Sequence, residues 1–217
     1  MLHLRLYDYA ASGNCYKARL LLAQLDLPYE RVPVDIFGGD TLTPEFARIN
    51  PARTTPVLEL APDRHLTESN AILAFLAEGT ELFPDERFDR AQVLRWLLFE
   101  QVDVMATMGG LRFRLITGRL SPDDPAAAGR RAAALDALGV LETQLAAHPF
   151  LVADRYTVAD IAVYAYTHVA DDAGIDLAAY PAVEAWIDRV EAQPGHVNDL
   201  EPYPDNASRM AGLSVYG

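Results

Sequence analysis

The sequence predicts two domains of different class, an α/β domain over residues 1–80 and an all-helical domain over residues 87–217. Two observations carry this. Strand-like alternation and helix-like periodicity interchange as far as Glu78, and after Asp85 the strand pattern is gone. Mixed elements followed by a run of helices imply two separately packed bodies. The length of 217 residues suits two small domains, and 51% apolar residues supply a sizeable core.

The elements follow in order. Leu2, Leu4 and Leu6 alternate with His3, Arg5 and Tyr7, as in a half-buried strand. Ala10 to Asn14 breaks that pattern, and Ala18, Leu21, Leu22 and Leu25 then recur at helical spacing. Tyr29 to Asp35 alternates again. Thr43-Pro44-Glu45 is a helix start with proline at the first helical position. Val57 to Leu60 and His65 to Thr67 form an antiparallel pair around a turn, and Ser69 opens a helix to Glu78. Glu81 to Asp85 reads as a linker. Phe88 to Arg119, Ala126 to Ala147, Thr157 to Ala173 and Ala182 to Gln193 are helical. The tail from Glu201 reads as a surface loop.

Acidic side chains outnumber Lys and Arg by 31 to 18, a net charge of −13. Nucleic acid is a poor partner for such a chain, because binding it means neutralising phosphates with clustered cations. Anionic membrane surfaces are disfavoured for the same reason. No stretch reaches the roughly 18 apolar residues of a membrane span, and the N-terminus lacks a signal peptide's basic and apolar regions. The single cysteine, Cys15, excludes an internal disulfide and suits a reducing cytoplasm. The five histidines show no metal-ligand spacing, so no metal is expected. No phosphate loop or dinucleotide fingerprint is present.

Four motifs stand out. Ser12-Gly-Asn-Cys-Tyr-Lys17 opens the first helix, where free N–H groups favour anions. Ser12 there is either a helix cap or a hydroxyl aimed at a bound group. Thr54-Thr55-Pro56-Val57 puts proline at the start of a strand, where it cannot donate to the ladder. Glu68-Ser69 pairs an acid with a hydroxyl at a helix start. In Tyr156-Thr157-Val-Ala-Asp160-Ile161, Thr157 and Asp160 form a capping box and Tyr156 and Ile161 a hydrophobic staple.

In this order the four motifs resemble the cytosolic glutathione transferases over nearly the whole chain. Trp96 to Gln101 is similar to that family's fourth helix. The register of Tyr16-Lys17-Ala18-Arg19 resembles the serine-type (theta- and zeta-like) classes. The resemblance implies a thioredoxin-like first domain and a helical second domain. It implies an enzyme that binds glutathione as co-substrate, with no further cofactor, and adds its sulfur to a small apolar electrophile. Glutathione-dependent disulfide exchange or isomerisation, and non-catalytic ligand binding, are the alternatives on the same scaffold.

The site residues carry over one by one. Ser12 would stabilise the thiolate, with Asn14 as a competing amide donor; Cys15 is either dipole-activated or a buried bystander. A cis Pro56 would present the backbone of Thr55 to the peptide-like ligand. The family usually has Lys or Gln two residues before that proline. Thr54 stands there instead, so Arg53 is the substitute for holding the glycyl carboxylate. Glu68 and Ser69 would take the ammonium and carboxylate of the γ-glutamyl end. Tyr9, Met105, Met108 and Phe113 line the acceptor pocket or belong to the core. A homodimer is implied.

Overall fold

The computed structural model describes residues 4–208, so Leu2 and His3 of the first expected strand lie outside the described residues. The chain divides into two compact units. Among the described residues, one contains those up to Leu76 together with residues 197–208, and the other is Ala77–His196.

The first unit holds β1 (Leu4–Asp8), β2 (Tyr29–Pro33), β3 (Val57–Ala61) and β4 (Arg64–Thr67), ordered β2-β1-β3-β4. β1 and β2 are parallel, with Leu4 opposite Tyr29, while β3 runs antiparallel to both β1 and β4. Helices α1 (Gly13–Gln24), α2 (Pro44–Ile49) and α3 (Ser69–Ala77) complete the β-α-β-α-β-β-α order of a thioredoxin-like domain. Leu4, Leu6 and Asp8 share the buried face of β1, as period-two alternation requires. α1 is buried almost all round from Cys15 to Leu22, including Lys17 and Arg19. α2 starts as expected, with Thr43 capping the Phe46 N–H and Pro44 at the first position.

Asp8 ends β1 as a fully buried carboxylate. Arg19 of α1 grips its Oδ1 at 2.6 Å, and Arg31 of β2 takes its Oδ2. Arg19 also reaches Asp199 at 2.9 Å. The segment from Val197 therefore joins the first unit rather than the helical one. Arg19 anchors it through Asp199, and the Tyr16 hydroxyl donates to the Val197 carbonyl at 2.7 Å. Further on, the Glu201 N–H meets the Ala10 carbonyl at 3.2 Å.

In the second unit the expected helix from Phe88 is present from Arg87 to Ile116, but it changes winding. α4 (Arg87–Phe99) passes into a π-helical stretch over Glu100–Gly109 and returns to α5 (Gly110–Ile116). Gly109 lies where this stretch approaches the next buried helix: a Cβ there would sit 2.8 Å from the Tyr166 ring. α6 (Pro125–Ala147), α7 (Val158–Thr167) and α8 (Pro181–Glu191) follow, and every residue of α7 is buried. The expected helix 157–173 ends at Thr167, with a separate 3₁₀ turn at Ala170–Ala173. The segment read as a linker is packed: Phe83 is buried, and the Leu82 carbonyl accepts from the Val158 N–H at 3.0 Å.

Asp160 is the polar centre of this unit. The capping box with Thr157 is formed. The same carboxylate also accepts from Leu151 N–H at 3.0 Å and from Trp186 Nε1–H at 2.9 Å. Burial raises this carboxyl from 3.8 to about 6, against the pull of its four donors. The folded chain thus holds more protons here than the unfolded chain between about pH 4 and 6. The Asp160 contribution to stability must fall as pH rises through that window, by about 3 kcal/mol. Urea unfolding from pH 4 to 7 tests this: the difference between wild type and Asp160→Asn should shrink between about pH 4 and 6 and then level off. A constant difference would mean the carboxyl is ionised throughout.

Candidate active site

The loop after β1 delivers two polar side chains at the start of α1. Ser12 is the N-cap (φ −84°, ψ 121°), and its Oγ accepts from the Cys15 N–H at 3.3 Å. An oxygen that accepts through a lone pair still has its own O–H to donate. Capping and donation to a bound sulfur are therefore compatible. Asn14, half-buried, turns its Oδ1 inward, accepting from Lys17 Nζ at 3.0 Å and Ser69 Oγ at 3.4 Å. Its Nδ2 donates to no described residue.

Cys15 is fully buried, and its Sγ accepts from the Tyr9 N–H at 3.4 Å. Burial and the nearby Asp8 charge push the thiol up to about 11, against donors from Thr55, Tyr9 and Ser12. Burial and the Asp8 charge thus favour the thiol over the thiolate, although Cys15 sits in the first turn of the helix. Cys15 is a core residue.

The Thr55–Pro56 bond is cis. The sheet ladder begins only at Val57, so the Thr55 backbone stands outside it. Asn50, buried, fixes the approach to this loop: its Nδ2 donates to the Thr54 carbonyl at 2.9 Å and to Thr54 Oγ1 at 3.1 Å. Arg53 sits in the left-handed region (φ 57°) and donates from NH1 to the Thr41 carbonyl at 3.0 Å.

Glu68 is also left-handed (φ 70°) and exposed, a conformation that costs a non-glycine residue about 1 kcal/mol. This bend places Ser69, 4% exposed, directly at the start of α3. The Ser69–Asn14 contact brings the N-termini of α1 and α3 together. Contact of Cys15 with both Ser12 and Thr55 adds the cis-proline loop. Ser12, Asn14, Thr55, Pro56 and Ser69 thus form one cluster, flanked by Glu68. The side chains of Arg53 and Thr54 are engaged in holding the loop.

The acceptor-pocket residues divide. Met108 is buried within the helical unit, and Met105 packs against Val104, Ala137 and Tyr166. Phe113 lies under the Arg119 guanidinium at 5.0 Å. Tyr9 is in the first unit, edge-on to Phe37 at 5.9 Å, and lines a groove of about 460 Å³ whose walls mix apolar Val34 and Pro204 with the charged Arg31, Asp35 and Glu201. The buried Tyr9 hydroxyl has no partner among the described residues. Tyr7 serves packing: it meets Phe46 edge-on and donates to Glu59 Oε2 at 2.8 Å. Sequence reasoning missed Lys17, Asn50 and Asn70. The available signal for Lys17 was that it and Arg19 are cations placed within the otherwise apolar run of α1. Among the described residues no group of three His, Cys, Asp or Glu could hold a metal, and no helix is long and apolar enough to cross a membrane.

Comparison with known proteins agrees with this architecture. Residues 6–82 match the family model of the glutathione S-transferase N-terminal domain, and residues 104–194 match that of the C-terminal domain. The disulfide-bond oxidoreductase YfcG of Escherichia coli is 34% identical, over 86% of this chain and 89% of its own. The maleylacetoacetate isomerase of Rhizobium meliloti is 32% identical, over 85% and 89%. The crystal structure of a glutathione S-transferase from Pseudomonas fluorescens superposes with a TM-score of 0.88 at 45% identity, covering 91% of this chain and 99% of that one. Both domain models match in order, and these relatives span most of both chains: the protein belongs to the glutathione S-transferase family of enzymes.

Proposed function

We propose that the first unit binds reduced glutathione across the two helix N-termini and holds its sulfur as the thiolate for attack on an electrophilic, largely apolar small molecule. The carrying observation is the meeting of Asn14 and Ser69, which aims two sets of free N–H groups at one place beside the cis-proline loop. Such termini suit the carboxylate and thiolate of a tripeptide. Ser12 O–H and Asn14 Nδ2 are the donors for sulfur, and Thr55 offers the backbone edge. Ser69, whose hydroxyl proton goes to Asn14, takes the γ-glutamyl carboxylate through its free backbone N–H, and Glu68 takes its ammonium. Arg53 spends one N–H on the Thr41 carbonyl and has the rest of its guanidinium for the glycyl carboxylate.

A second reading is glutathione-dependent disulfide reduction. The relationship to YfcG favours it, and the inert Cys15 leaves glutathione to supply the thiol. Chlorodinitrobenzene and hydroxyethyl disulfide assays separate the two. A single buried cysteine fits a cytoplasmic protein.

Replacing Ser12 with Ala should raise the titration midpoint of the bound thiol by about one pH unit, and turnover should fall about tenfold. Glutathione affinity by calorimetry should change little. Full activity in Ser12→Ala with loss in Asn14→Ala would transfer the role to the amide.

Losing a charge-assisted hydrogen bond costs about 1.5–3 kcal/mol. Titration of Glu68→Ala with glutathione should therefore show binding weakened at least tenfold. Unchanged affinity would reduce Glu68 to a residue that shapes the start of α3.

We also propose a homodimer. Leu94, Leu98 and Val102 follow one another at helical spacing and are exposed, as is Phe88. A row of this kind marks a protein interface. Sedimentation should give twice the 23.9 kDa chain mass at micromolar concentration, and Leu98→Glu should halve it. A wild-type species at the monomer mass that is fully active would overturn the dimer.

A further inference from the structure

Lys17 lies on the first turns of α1 with no exposed surface at all. A lysine ammonium is among the groups least often buried, since desolvating it costs several kcal/mol unless oxygens surround it. Here Nζ donates to Asn14 Oδ1 at 3.0 Å, Ser69 Oγ at 3.4 Å and Asn70 Oδ1 at 3.4 Å. These three acceptors come from the two helix N-termini that make up the glutathione site proposed above, on which this inference rests.

The consequence for Asn14 is directional. Its carboxamide has an acceptor end and a donor end, and an ammonium, which has only N–H groups, can hold only the acceptor end. With Oδ1 drawn to Lys17 and Ser69, Nδ2 is turned away from the interior. Without the ammonium the amide could flip, presenting a carbonyl oxygen to a bound sulfur. Oxygen lone pairs facing a thiolate disfavour it, and N–H donors favour it.

We propose that Lys17 is a positioning residue: it fixes the Asn14 amide with its donor end toward the glutathione sulfur and ties Ser69 into the same arrangement. Lys17 itself touches no substrate. Its effect passes through Asn14, and this separates it from a lysine that merely fills the core.

The test is a double-mutant cycle read by glutathione thiolate absorbance near 240 nm, titrated in the presence of the full-length protein. Lys17→Met keeps the volume and removes the donor. It should raise the titration midpoint of bound glutathione by about one pH unit and lower kcat more than it changes KM. In an Asn14→Ala background the same substitution should leave the midpoint where Asn14→Ala alone puts it. Lys17→Gln, which keeps a donor at shorter reach, serves if Lys17→Met does not fold, with a smaller shift that Asn14→Ala again abolishes. An unchanged midpoint in a folded Lys17 variant, or an equal shift with and without Asn14, overturns the inference while leaving glutathione binding intact. Failure of the wild type to bind glutathione overturns the site reading, and this inference with it.

Discussion

The Asp8 carboxylate has no access to solvent, and two arginines from different elements hold it there. Much of the first unit follows from this pairing. β1 ends at Asp8 and α1 begins at Gly13, so Arg19 pulls the body of α1 onto the end of the strand that precedes it. The four residues between have little freedom left, and Ser12 falls at the helix terminus. Removing one member of such a pair strands a buried charge, at a cost of about 3–5 kcal/mol. The ion pair is thus a geometric constraint on the site above it.

That site has few dedicated parts. The anion-attracting character proposed for it comes from backbone N–H groups at two helix starts, which any sequence would supply once the helices are aimed. What the side chains add is aim and selectivity. Ser12 caps α1 and keeps a proton to donate, Asn50 shapes the approach to Pro56, and the left-handed Glu68 delivers Ser69 at the start of α3. The helical unit uses the same economy around Asp160, where one carboxylate satisfies a helix start, a loop N–H and a tryptophan.

The fold was legible because its signals are local. Alternation in β1, the Thr43-Pro44 start of α2 and the Thr157–Asp160 box each specify an element without reference to distant residues. Ser12 and Ser69 stand at helix starts, as the sequence reading places them. What could not be read was which end of Asn14 faces inward, because that depends on an ammonium three residues away and on a serine 55 residues away. Cys15 carried both readings in sequence; only its depth decides that the thiol is inert. The π-helical winding of Glu100–Gly109 was not foreseen; the sequence reads as one continuous helical region there. That the tail packs on the first unit could not be read, because nothing in its composition announces that Asp199 pairs with Arg19.

That tail has a consequence for the order in which the protein can be completed during synthesis. The first 76 residues leave the ribosome early and contain the whole sheet, yet Arg19 lacks one of its two carboxylates until Asp199 emerges. The same late segment caps Tyr16 through the Val197 carbonyl and covers the Ala10 carbonyl through the Glu201 N–H. The unit encoded first is therefore the unit finished last, and the entire helical unit is translated in between.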